Sequence, residues 1–181
     1  RTVFYSAADS YTDFASISAG NILITDSTLH KNISSLLTAN NFLYIFGADS
    51  VNVFSDVRVG TDGVTVFTNT NVSASVGTDY KKSVYAYFRS VVFMNEYGIY
   101  TLVGSTTSKL SDSLDGIFQL IDFTLPVTGG QVLINNILCA AWCFTYNDPV
   151  AGARPVQAVF FNKRWFITSQ GTLTNITSAQ V

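Results

Sequence analysis

NNFLYIFGADSVNVFSDV, residues 40–57, and FRSVVFMNEYGIYTLVGS, residues 88–105, decide the fold of this 181-residue chain. Each stretch reads as an apolar strand, a tight polar turn and a second apolar strand. The first pairs Phe42–Phe46 with Val51–Val57 across Gly47-Ala48-Asp49-Ser50. The second pairs Val91–Met94 with Ile99–Val103 across Asn95-Glu96-Tyr97-Gly98, with Gly98 read as the positive-φ residue of the turn. The two halves repeat at about fifty residues, the spacing of a propeller blade. The expected fold is therefore all-β, with antiparallel hairpins set as propeller-like blades. A β-sandwich is the alternative arrangement of the same strands.

Working outward, the remaining chain fits that pattern. RTVFYS (1–6), NILIT (21–25) and Ile33–Leu37 read as short strands before the first hairpin. In VNVFSDV, the apolar positions Val51, Val53 and Val57 alternate with Asn52 and Asp56, which predicts a wetter face for the latter pair. GTDG (60–63) is a turn signal and VTVFT (64–68) the next strand. Asn69–Lys82 reads as a long polar connector, the most mobile loop expected. SVYAYF (83–88) precedes the second hairpin. SDSLDG (111–116) predicts a short helical turn capped by Ser111 or Asp112. After PVTGG (126–130), VLINNILCAAWCFTY (132–146) supplies one or two strands. NDPVAGARP (147–155) reads as a loop, and VQAVFFNKRWFIT (156–168) as a hairpin about Asn162-Lys163-Arg164. Twelve to fourteen strands and no amphipathic helix are expected, in one domain. The chain starts at Arg1 directly on a strand-like run, so it is expected to be a piece of a longer structural protein.

Composition narrows the function classes. Hydrophobic residues make up 48%, aromatics 14% and charged residues 12%, against about 25% charged in an average soluble domain. The surface must be built from Ser, Thr, Asn and Asp, which suits a chain covered by copies of itself or by neighbours. The net charge of −2 and the isolated pairs Lys81-Lys82 and Lys163-Arg164 argue against a phosphate-gripping surface. No apolar run reaches the ~18 residues of a membrane-spanning helix.

Few residues carry candidate chemistry. The one histidine, His30, lies in a polar loop, and a nucleophile–base pair needs a positioned base. Cys139 and Cys143 are four apart, roughly 13 Å along a strand, too far for a disulfide, and read as buried free thiols. Asp9 with Asp13, and Asp112 with Asp115, are spaced as cation-binding acids sometimes are, yet each sits among turn formers that explain it. Trp142 and Trp165 read as packing residues, with sugar stacking as the sharper alternative. The Asn-x-Ser/Thr triplets at Asn32, Asn71 and Asn175 are expected in so Asn/Ser/Thr-rich a chain. Eleven Asp and one Glu leave a two-carboxylate glycosidase countable. No catalytic, cofactor-binding or metal-binding residue is assigned, and no cofactor is expected.

The run from Ile33 to about Ser113 resembles a segment of the tail hub and packaged-DNA stabilisation proteins of short-tailed bacteriophages. The likeness lies in the hairpin LYIFGADSVNVFS (43–55), the polar-Gly step Ser75-Val76-Gly77-Thr78, and the strand pair and turn GIYTLVGSTTSKLSDSLDGI (98–117); SAADSYTDF (6–14) looks like the loop that precedes such blades. The resemblance covers about half the chain. It implies a non-enzymatic virion part of the phage tail, assembled in the host cytoplasm. It also implies a propeller-like domain in a ring of copies, beside portal or tail proteins and around a DNA exit channel. Two other classes stand beside it: a receptor- or glycan-binding phage adhesin, and a propeller glycoside hydrolase.

Overall fold

A computed structural model describes residues 1–24, 32–73 and 75–169. The described residues are all-β, with fourteen antiparallel strands in four sheets, one four-residue α-helix and two three-residue 3-10 turns. None of the four sheets closes on itself. The chain forms two compact units: Arg1–Asp79 with Gly104–Thr106, and Tyr80–Val103 with Thr107–Val181.

In the first unit, β1 (Thr2–Tyr5) pairs with β2 (Gly20–Leu23). A four-stranded meander follows: β3 (Ile33–Ala39), β4 (Phe42–Gly47), β5 (Val51–Val59) and β6 (Thr65–Ser73). Leu43 stands opposite Phe54 and Phe46 opposite Val51, the register set by the Gly47–Ser50 turn, where the Gly47 N–H donates to the Ser50 carbonyl at 2.9 Å. Val3, Ile24, Ile45 and Phe54 form this unit's buried cluster, flanked by Leu43 and Phe67.

The other two meanders are β7 (Tyr85–Tyr87), β8 (Ser90–Asn95), β9 (Gly98–Val103) and β10 (Thr106–Lys109), then β11 (Thr128–Ile134), β12 (Ile137–Asp148), β13 (Gly152–Phe161) and β14 (Arg164–Ser169). In each, spatial order follows chain order. Within the second unit these two sheets pack face to face. Val92, Met94 and Ile99 meet Ala140, Trp142, Phe144, Val156 and Ala158, with Phe118, Ile121 and Val127 of the intervening segment closing the cluster. β12 is apolar on both faces, because Cys139 and Ala141 pack with Ile134 and Val159 on its other side.

Three hairpins use two-residue turns with both residues left-handed: Asn40-Asn41 at φ 53° and 65°, Asn135-Asn136 at 49° and 62°, and Asn162-Lys163 at 48° and 60°. Such turns match the twist of the flanking strands, and Asn tolerates this conformation best among residues with a side chain. Asn135-Asn136 divides the 132–146 run into β11 and β12.

Several expectations are corrected. Gly98 has no positive φ. The Asn95 carboxamide oxygen instead accepts the Tyr97 and Gly98 N–H groups at 2.9 and 3.1 Å, and glycine is needed for space, since a Cβ there would lie 2.5 Å from Lys109 Cε and 2.8 Å from Ser111 Oγ. Asn52 is buried rather than wet, and accepts from Asn71 Nδ2 at 2.8 Å. The alternation fails because both faces are buried from Val51 to Phe54, and because β5 then shifts register between Ser55 and Arg58, where Asp56 has φ 54°, leaving Val57 exposed. Asn69–Lys82 is not a loop throughout: β6 runs to Ser73, and Thr78 is fully buried with its N–H on the Gly47 carbonyl at 2.8 Å. The turn at Asp112–Leu114 has Ser111 at its N-cap position, but the hydroxyl makes no cap bond; it accepts the Ile99 N–H at 2.9 Å. Asn147–Pro155 is mostly strand. β12 continues to Asp148, and Pro155 sits opposite Thr145, one residue beyond the β13–β14 ladder that starts at Val156. A proline is tolerated there because its missing N–H faces no described partner strand.

Candidate functional site

The residues singled out in the sequence do not converge. His30 and Asn175 lie outside the described residues. Asp13 organises its own loop: its carboxylate takes the Ser16 hydroxyl and the Ala15 and Ser16 N–H groups, which hold it below the usual carboxylate range. Asp115 binds Lys109 Nζ at 2.6 Å. Among the described residues no group of three or more His, Cys, Asp or Glu could hold a metal ion.

Cys139 and Cys143 are free thiols, the first buried and the second half-buried, both with their pKa raised by burial. Trp142 is fully buried, so it is no sugar platform. Its Nε1–H donates to the Ser83 carbonyl at 3.2 Å, and its ring lies 5.9 Å from Trp165, whose Nε1–H donates to the Leu110 carbonyl at 3.0 Å. Ser83 is the joint between the two packed sheets. Its hydroxyl donates to the Met94 carbonyl and accepts the Met94 N–H, at 3.1 and 3.2 Å, while its carbonyl holds Trp142. Gly129 makes room, since a Cβ there would lie 2.8 Å from both Trp142 Nε1 and the Ser83 carbonyl oxygen. Tyr85 adds a second tie, its hydroxyl accepting the Ala141 N–H at 3.2 Å.

Among the described residues, each unit carries an open cleft. The first unit's cleft, about 300 Å³, is lined by Val3, Leu43, Phe54, Val57, Val59 and Phe67, with Tyr5, Ser6, Ala8, Arg58 and Thr65 completing its lining. Phe54 and Phe67 stack at 4.7 Å, and Tyr5 meets Phe67 edge-on at 5.9 Å. Arg58 Nη1 donates to the Asp56 carboxylate, both side chains being largely exposed. The second unit's cleft, of similar volume, lies between Ile117, Tyr146, Asp148, Arg154, Val156 and Ile167. There Arg154 Nη2 donates to Asp148 Oδ2 at 2.5 Å. The Asp148 carboxyl is held below its usual range chiefly by the Ala151 and Val150 N–H groups. In that cleft the guanidinium and the carboxylate are paired with each other.

Sequence reasoning missed the first cleft. Its one visible signal is the Asp56-Val57-Arg58 run, where two charges interrupt an otherwise uncharged strand. No family model and no curated protein matches the chain.

Proposed function

We propose that the chain is a non-enzymatic structural domain of a bacteriophage virion, part of a tail hub or head-to-tail connector. Its three meanders act as successive blades of a propeller-like domain, and copies stand in a ring beside portal or tail proteins and around the DNA path. The observation that carries this reading is the repetition itself: three consecutive four-stranded meanders, each in chain order. Face-to-face packing of the second and third through Val92, Met94, Trp142 and Ala158 is the contact that neighbouring blades make. A surface poor in charge supports it further. A wall past which DNA slides should not grip many phosphates, and a net charge of −2 does not.

The test is made on the protein in purified particles. Mass spectrometry of purified particles should find it at a fixed stoichiometry, and electron cryo-microscopy should place it in a ring at the head–tail junction. Its absence from particles would remove the reading. Density at the distal fibre tips would replace it with the adhesin.

A further inference from the structure

The open cleft of the first unit has features that ordinary packing does not explain. Protein interiors close over apolar surface, yet here Phe54 and Phe67 floor a space of about 300 Å³ that nothing described fills. That volume is at the lower end of small-molecule sites, about 300–1,000 Å³. The β-bulge in β5 shapes its mouth. The register shift at Asp56, a non-glycine residue at φ 54°, turns Val57, Arg58 and Val59 together onto the rim. Bulges re-aim side chains in this way, and a strained backbone position points to a role beyond stability. Val57 and Val59 are 60% and 46% exposed there.

The chemistry of the mouth is one-sided. Its polar side chains are the Arg58 guanidinium and the hydroxyls of Tyr5, Ser6 and Thr65. Thr65 is spent on the Ser18 carbonyl at 2.6 Å. No carboxylate lines the space, and Asp56, just outside it, engages Nη1 of a side chain that carries five N–H donors.

The geometry points to a binding site for a small amphiphile: an apolar acyl chain laid on Phe54, Phe67 and Leu43, with a carboxylate head at Arg58. Asp56 holds the guanidinium at the rim and competes for it, which keeps binding weak and reversible. The site stands independently of the structural role proposed above.

Octanoate and octanol, which share a chain and differ in the head, separate the two halves of the claim. Calorimetric titration of the full chain should show saturable binding of both. Arg58→Gln should weaken octanoate about two- to fivefold, the scale of a solvent-exposed ion pair, and leave octanol unchanged. Asp56→Asn should tighten octanoate by a similar factor. Val57→Trp, at an exposed rim position, should abolish both while the circular dichroism spectrum stays native; Val59→Trp serves if that variant does not fold. Absence of saturable octanoate binding to the unmodified chain would overturn the site. So would equal weakening of both probes in Arg58→Gln, or unchanged binding in the folded tryptophan variant.

Discussion

Phe93 has no solvent exposure and stacks on Tyr100 with ring centroids 5.6 Å apart. Truncating such a ring removes its transfer energy and leaves a cavity. Phe93→Ala should therefore cost about 3–5 kcal/mol in chemical denaturation; a cost below about 1 kcal/mol would mean that the ring is not in the core. Tyr85 gives a pH signature. Burial, first of all, drives its phenol well above the ordinary value, because the charged phenolate would be stranded beside Trp142. The folded state thus keeps a proton that the unfolded chain releases near pH 10. The Tyr85 contribution is fully present below that pH and lost above it, at about 1.4 kcal/mol per pH unit. Tyr85→Phe should flatten that share of the alkaline decline in stability, followed as urea midpoints from pH 9 to 11. An unchanged slope would show that Tyr85 titrates normally. The sequence identifies both residues as strand aromatics. It does not show the hydroxyl of one reaching a backbone 56 positions away.

At the scale of elements, glycines separate turns built on conformation from turns built on space. Gly77 faces backbone: an added Cβ would lie 2.1 Å from the Gly47 oxygen and 2.5 Å from the Ser50 nitrogen. At Gly98 the nearest atom is the end of the flexible Lys109 chain, and at Gly116 nothing lies within 4 Å. Alanine should accordingly be worst at 77, intermediate at 98, and neutral or stabilising by up to about 1 kcal/mol at 116. Thermal denaturation of the three variants reads the order, and a tolerated Gly77→Ala would contradict the seating of the 77–78 segment on the first hairpin. The hairpins were legible because tight polar turns between apolar runs are local signals. The exposed face of β5 was not. The strand is buried on both faces through Phe54 and exposed on both from Asp56, where a bulge sits, and nothing in a period-two pattern marks where an extra residue enters. The polar look of residues 69–82 misled for a related reason, since Ser73 and Thr78 are polar yet buried and bonded to backbone.

For the whole molecule, the all-β class was legible from repeated hairpins and scarce helix signals, and the structure has it. The first unit's cleft was not legible. Val3 of β1, Phe54 of β5 and Phe67 of β6 meet there from separate strands, and only the folded chain brings them together. No helix among the described residues is long and apolar enough to cross a membrane. The central claim is that one pattern, a four-stranded meander in chain order, is built three times. Backbone nuclear Overhauser contacts in the labelled chain test it most directly. They should link Tyr44 with Val53, Val92 with Thr101, and Trp142 with Ala158, one equivalent pair in each meander. Finding any of these strands paired outside its own meander, or helical contacts between residues three apart in its place, would contradict the account.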